Sequence, residues 1–239
     1  MGAALAGKTV LVTGASAGIG KATAVAMAQS GAKVIATGRR KAALEALKQE
    51  YGQAVETVAG DLNDAGFVER LSASARHADI FVNNAGVLRY APIMDITDTE
   101  CEWMLRTNVL AAFRVTQAVA KSMIERGSGH IIVMTSIAAR EVYQLGSIYC
   151  ATKHALSALA RSFRIELQGH GIKVTEIAPG MVDTEIRAGS DHPRVLAAVS
   201  ARKFDPLTPE EVAEAVVFAA QAAPNCCPDL IELRPKGSA

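Results

Sequence analysis

Aromatic side chains make up only 5% of this chain, with a single tryptophan. That scarcity argues against the stacking platforms that bind single-stranded nucleic acid. An excess of charge of one sign is also missing. The 25 Lys and Arg are balanced by 24 Asp and Glu, the formal net charge is +1, and the basic residues are scattered. No strong field draws such a protein to nucleic acid or to an acidic membrane, and neither partner is expected. The 4 cysteines, Cys101, Cys150, Cys226 and Cys227, show no CxxC spacing. They are expected to be reduced thiols in a cytoplasmic protein, and the vicinal pair at 226–227 reads as chance. The 5 histidines (His77, His130, His154, His170, His192) are dispersed without an HxxxH or carboxylate grouping, so no metal site is expected. No apolar run reaches the roughly 18 residues of a membrane span. The opening MGAALAGKTV lacks a long apolar stretch behind a basic head, so no signal peptide is expected.

What is present is an alternation. Half of the 239 residues are hydrophobic, enough for one sizeable core. Short β-branched runs at Thr9–Thr13, Lys33–Gly38, within AVETVAGDL, within ADIFVNNAG, at Gly129–Ser136, at Lys173–Gly180 and in DLIELRP read as strands. Helical patterns lie between them at Gly20–Ser30, Ala42–Tyr51, about Asp98–Arg126, and from Tyr149 to about Gln168. Gly31 is a plausible helix stop. A last helix follows LTPEEV, where Thr208 and Glu211 have the spacing of a capping box. The pattern predicts one α/β domain over residues 1–239, a doubly wound parallel sheet of seven strands with helices on both faces. In such sheets ligands bind beyond the C-terminal ends of the strands.

The first strand runs into TGASAGIG, where Gly14, Gly18 and Gly20 give a GxxxGxG spacing. Such a turn offers backbone freedom and room for a pyrophosphate against a helix N-terminus. A side chain at Gly18 or Gly20 is expected to block that approach. It is not a Walker loop, because Ala15 and Ala22 stand where that motif needs Gly and Ser or Thr. An acid at the end of the second strand would hold the ribose of NAD. Here the strand ends in TGRR, and no acid appears before Glu45. Arg39 and Arg40 suit a 2′-phosphate, which predicts NADP(H).

YCATK places Tyr149 and Lys153 four residues apart at the start of a helical stretch. On a helix they share a face. A nearby ammonium favours the phenolate and would lower the tyrosine's pKa from about 10. Alone, the pair is a weak signal and reads first as a surface Tyr and a surface Lys that share a face by chance.

Together these motifs resemble the short-chain dehydrogenases/reductases over nearly the whole length. The resemblance rests on TGASAGIG, Asp61–Leu62, NNAG at Asn83 to Gly86, Asn108, Ser136, YCATK, and PGMVDT at Pro179 to Thr184. It implies a Rossmann fold and an NADP(H)-dependent interconversion of a carbonyl and an alcohol. By the same resemblance, Tyr149 is the general acid, Ser136 bonds the substrate oxygen, and Lys153 holds the nicotinamide ribose and lowers the phenol's pKa. Asn108 holds a water that links Lys153 to solvent. Gly14, Ser16, Gly18, Ile19, Gly20, Arg39 and Arg40 hold the phosphates. Asp61 accepts a bond from adenine beside Leu62. Asn83, Ala85 and Gly86 line the cofactor and steady the sheet. Pro179, Gly180, Val182 (through its backbone) and Thr184 bind the carboxamide end. One departure is Ala17, where many NADP-binding relatives carry a basic residue.

Within the family, SIAAREVYQLGSIYCATKHAL and PGMVDTE resemble the NADP-dependent 3-hydroxy acid dehydrogenases and semialdehyde reductases. Serine dehydrogenases and clavaldehyde-type reductases look similar. Such substrates are small and often carry a carboxylate, which needs a cation. Arg140 and Arg187 are the candidates, with Arg194 beside them, and residues 185–206 are expected to form a mobile lid. Larger ketones, 3-oxoacyl thioesters and a non-catalytic NADP-binding regulator stand as alternatives. An epimerase acting on nucleotide sugars fits the glycine spacing and the short tail less well. The resemblance also implies a homodimer or homotetramer. Ala151, Ala155 and Ala158 would allow close helix approach, or would face the sheet.

Overall fold

The predicted strands pair into one sheet in the computed structural model, which describes residues 4–238. They are β1 (Thr9–Thr13), β2 (Lys33–Gly38), β3 (Val55–Ala59), β4 (Ile80–Asn83), β5 (Gly129–Met134), β6 (Ile172–Pro179) and β7 (Leu230–Leu233). The order is β3-β2-β1-β4-β5-β6-β7, and every pair is parallel. Consecutive strands step outward in one direction from β1 and in the other from β4. The crevice at that reversal is where such a sheet takes a ligand.

Among the described residues eight α-helices connect the strands: α1 (Gly18–Gln29), α2 (Lys41–Tyr51), α3 (Ala65–Ser74), α4 (Asp98–Leu105), α5 (Ala112–Arg126), α6 (Ser147–Leu167), α7 (Pro193–Ser200) and α8 (Pro209–Ala220). Side chains alternate along each strand. On one face Leu11, Ile131, Val133 and Val174 pack with Phe67 and Leu71 of α3, Val115 of α5, and Leu156 of α6. On the other, Val10, Val12, Ile132 and Ile177 pack with Met27 of α1, Leu44 of α2, and Val212 and Val216 of α8. Both faces of the strands are therefore apolar, as the continuous hydrophobic runs require. Thr208 and Glu211 close the capping box at the start of α8.

Three features depart from the sequence reading. Helix α3 was not anticipated. Asp64 caps it by accepting from the Gly66 amide, and Phe67, Val68 and Leu71 bury its inner face. The helical stretch over 98–126 is interrupted by a π-helical segment at Arg106–Ala111. Such wide turns are common at functional sites, and this one carries Asn108. The stretch expected to be a lid contains α7, which starts with Pro193 after His192. The small residues of α6 are also resolved: Ala151 and Ala158 are exposed and Ala155 is half-buried, so they do not face the sheet.

Candidate active site

Two cavities meet beyond the C-terminal ends of the strands, sharing Ile19, Gly86 and Thr184 among their linings. The first, of ≈ 390 Å³, lies over the β1–α1 turn. Gly14, Ser16, Gly18, Gly20, Arg39, Arg40, Asp61, Leu62 and Ala85 line it. Gly14 and Gly18 have φ of +70° and +48°, a region that favours glycine. Gly20 has a reason internal to the turn. A Cβ there would sit 2.2 Å from the Gly14 carbonyl oxygen and 2.5 Å from Asn84 Nδ2. Gly20 thus lets the turn close on itself.

Asn84, which the sequence reading passed over, fixes that turn. Its Nδ2 donates to the Thr13 carbonyl (2.9 Å), and its backbone amide donates to Thr13 Oγ1 (3.0 Å). Its neighbour Asn83 points away. Asn83 is buried and donates to the Ala112 carbonyl and to Thr116 Oγ1, both at 3.0 Å. It pins β4 to α5 and does not line the cleft, because alternation along the strand turns it into the core.

This cleft fits a dinucleotide phosphate. Ala17 at the N-cap of α1 makes no side-chain cap bond, so the first-turn amides are free to meet an anion. Asp61 Oδ1 accepts from the Asn63 amide and Nδ2 at 2.9 and 3.0 Å, which fixes its carboxylate at the rim. The two arginines divide. Arg40 pairs with Glu185 at 2.8 Å and donates to the Ser16 carbonyl at 2.7 Å. It ties the glycine turn to the segment after Thr184, which leaves Arg39 as the freer cation.

The second cavity, of ≈ 420 Å³, holds Ser136, Tyr149 and Lys153 in its wall. Ser136 follows β5. Its hydroxyl donates to the Pro179 carbonyl and accepts from the Ala138 amide, each at 3.2 Å. Tyr149 and Lys153 share the buried face of α6, with Nζ 5.8 Å from the phenol ring centre. Lys153 Nζ donates to the Met134 carbonyl at 3.0 Å. Pro179, Gly180, Val182 and Thr184 complete the wall toward the first cavity. The Gly180 amide is held by the Leu233 carbonyl at 2.7 Å.

The electrostatics differ from the expectation. Burial pushes the Tyr149 phenol above the ordinary tyrosine value, and the neighbouring Tyr90 pushes the same way. Ser136 and Arg187 pull it down, but less. Burial also lowers Lys153 to about 8, against the upward pull of Glu176. A lysine that shares its charge with the neutral form near pH 8 does not overcome the burial of the phenol.

The Asn108 side chain is fully engaged within the protein. Its Oδ1 accepts from the Val87 amide at 2.8 Å. Its Nδ2 donates to the Val87 carbonyl at 2.8 Å and to Thr152 Oγ1 at 3.1 Å. The side chain is spent clamping the strand-end loop to α6. The π-helical segment lets it reach both.

Of the candidate substrate arginines, Arg140 does not line either cavity. It pairs with the buried Glu176 at 2.9 Å, because a buried carboxylate draws the nearest guanidinium. Arg194 is exposed on α7. Arg187 does line the cavity. Its Nη1 donates to the Val182 carbonyl at 3.1 Å, while its Nε is buried without a partner.

The sequence reading also passed over Tyr90 and Tyr143. Their hydroxyls meet at 3.1 Å, and the Tyr90 ring stands edge-on to Tyr149 at 5.9 Å. The chain has 4 tyrosines and three of them lie here. In so aromatic-poor a chain, that was the available signal, but only the fold brings them together.

A nucleotide cleft opening onto a Ser–Tyr–Lys cavity defines a class, the nucleotide-dependent oxidoreductases. The profile of the short chain dehydrogenase family matches residues 8–194, and the chain belongs to that family. It is 36% identical over 235 residues to the NADP-dependent 3-hydroxy acid dehydrogenase YdfG of Salmonella typhi, covering 95% of this chain and 94% of that one. It is 36% identical over 226 residues to the NADP-dependent 3-hydroxy acid dehydrogenase of Schizosaccharomyces pombe, covering 90% and 87%. Among solved structures, the closed form of serine dehydrogenase complexed with NADP+ aligns with a TM-score of 0.88 at 35% identity, covering 94% and 93%.

Proposed function

We propose that this chain is an NADP(H)-dependent oxidoreductase that interconverts the carbonyl and the alcohol of a small 3-hydroxy acid or semialdehyde. The observation that carries the substrate class is Arg187. A buried guanidinium nitrogen without a partner, in the wall that also holds Tyr149 and Ser136, is a cation waiting for an anion. The 3-hydroxy acid and serine dehydrogenases it resembles have substrates with a carboxylate by name.

The first cavity is the seat for NADP(H). The turn at Gly14–Gly20 and the amides of α1 would take the pyrophosphate, Arg39 and Ser16 the 2′-phosphate, and Asp61 with Leu62 the adenine. The backbone around Pro179–Val182 and the Thr184 side chain would take the carboxamide. The bound nicotinamide supplies the hydride acceptor or donor. The chain's own work is to place the carbonyl and move a proton. Ser136 and Tyr149 reach one point from the end of β5 and from α6, where both hydroxyls can bond the substrate oxygen. A phenol held protonated by burial suits the donor in carbonyl reduction. Lys153, charged below about pH 8, would hold the ribose and ease the proton's departure. Residues 185–206 would close over the site as a lid, with Ile186, Val195 and Phe204 keeping water out.

The apolar part of the lining, Leu88, Val199 and Phe204, favours a second reading, a larger ketone or 3-oxoacyl thioester. Absorbance-followed oxidation of NADPH and NADH against small carboxylated semialdehydes, 3-oxo acids, thioesters and bulky neutral ketones separates the two. Fast turnover confined to the carboxylated carbonyls supports the first reading, and activity confined to bulky neutral ones overturns it. NADPH binding without any turnover would instead favour a regulator.

The protein works in the cytoplasm as a homodimer or homotetramer in this reading. Among the described residues no helix is long and apolar enough to cross a membrane. Leu105 of α4 and Phe113 of α5 are 46% and 37% exposed. Together with the outward alanines of α6 they offer an apolar face for a second copy.

A further inference from the structure

Beneath Lys153 lies a carboxylate that the reaction above does not use. Glu176 sits on β6 and its side chain is 2% exposed. Alternation along β6 turns it to the same face as Val174, toward α6. Its Oε1 accepts from Thr135 Oγ1 at 2.7 Å and meets Arg140 Nη2 at 2.9 Å, and its Oε2 accepts from Ser157 Oγ at 3.1 Å. These donors flank the lysine's own anchors. Thr135 directly follows Met134, whose carbonyl takes the Lys153 ammonium at 3.0 Å. Ser157 stands four residues after Lys153, on the same face of α6.

The other groups around this spot leave Glu176 alone in sign. From α6 comes the protonated Tyr149 phenol, and from the π-helical segment the neutral Asn108 amide. Arg187 approaches from beyond the cavity and acts on Tyr149. On the opposite face of β6, His130 meets Thr175 Oγ1 at 2.8 Å and is kept uncharged by burial. Glu232 of β7 lies farther out, 4.0 Å from Arg140 Nε. Among the described residues Lys153 makes no ion pair within 4 Å, and Glu176 is the carboxylate placed to attract it across their shared neighbours. Attraction of this kind is strong where water is excluded.

We propose that Glu176 is a positioning residue for the reaction, the buried counter-ion that keeps the Lys153 ammonium charged, and that Arg140 sets its strength by sharing the carboxylate. The inference rests on the role given to Lys153 under the proposed function. A carboxylate that merely stapled β5, β6 and α6 together would change stability when neutralised and leave the lysine's titration where it was.

The test is an NMR titration of the full chain labelled at the lysine ¹³Cε, with Lys153→Arg to assign the signal. In Glu176→Gln, which keeps shape and hydrogen-bonding capacity, Lys153 loses its proton about one pH unit lower than in the parent chain. In Arg140→Gln, the carboxylate acts on Lys153 undivided, and the titration moves up by about one unit. The alkaline limb of kcat/KM for carbonyl reduction moves with each. An unmoved titration in both variants, or shifts of the same sign, overturns the proposal. If Glu176→Gln does not fold, Arg140→Gln decides alone: an upward shift supports the proposal and no shift overturns it. Absence of turnover in the parent chain would count against the proposed function, while the titration still reads the counter-ion.

Discussion

The two cavities that meet at Gly86 and Thr184 are built from different material. The nucleotide cleft is mostly backbone. Its shape comes from the positive φ of Gly14 and Gly18, the close approach at Gly20, and the uncapped amides of α1. The reaction cavity is mostly side chains, and they come from distant parts of the chain: Tyr90, Ser136, Tyr143, Tyr149 and Arg187. The glycine turn at the heart of the first is a local device and tolerates little change in a few adjacent residues. The second depends on the sheet to gather groups, on burial to set their charge, and on neighbours such as Asn108 and Glu176, which tie the surrounding loops and α6 together.

If that division is right, breaking the second cavity should leave the first intact. The largest expected effect is that of Tyr149→Phe. Turnover should fall by about 10³-fold while NADPH affinity, read by fluorescence titration, stays within about twofold. Comparable turnover in this variant would remove Tyr149 from the chemistry. Gly20→Ala should do the converse. Its new Cβ would press on the Gly14 carbonyl and Asn84, costing about 1–3 kcal/mol of stability by denaturant unfolding and weakening NADPH binding. Stability and affinity equal to the parent's would show that the turn has slack. Arg39→Ala should raise the KM for NADPH about tenfold, some 1.4 kcal/mol, with NADH unaffected. Arg40→Ala should do less, since Arg40 is engaged with Glu185 and Ser16. The reverse ranking would assign the phosphate to Arg40.

The last expected effect lies outside both cavities and appears only in acid. Burial holds His130 down to about 3, from about 6.5 when unfolded. The unfolded chain therefore binds a proton first as pH falls. The stability from this neutral histidine is complete above about pH 6.5 and is lost toward pH 3, at up to about 1.4 kcal/mol per pH unit. His130→Gln should flatten that stretch of the acid-unfolding curve. An unchanged slope would mean that His130 is not the group responsible.

The same division explains what the sequence could tell. The strands, the parallel sheet and the glycine turn are legible because each is written in a short contiguous run. Helix α3 was missed because its inner face holds only Phe67, Val68 and Leu71 over ten residues, too little for a clear period. Asn83 and Asn84 are adjacent and chemically identical, and only the strand's alternation decides which enters the core. Arg140 and Arg187 looked alike as candidates. Glu176 claims the first and leaves the second in the cavity, a distinction that depends on a strand about 36 residues downstream of Arg140. The upward shift of Tyr149 was likewise invisible, since spacing to Lys153 says nothing of burial.

The central claim is that Arg187 reads a carboxylate in the cavity where Tyr149 works. Its most direct test is kcat/KM for a small carboxylated semialdehyde and its uncharged ester, with the parent chain and with Arg187→Met. The account predicts that the parent prefers the acid, and that the substitution costs the acid about 100-fold, near 2.7 kcal/mol, while the ester changes little. Equal losses for acid and ester, or no preference in the parent chain, would contradict it.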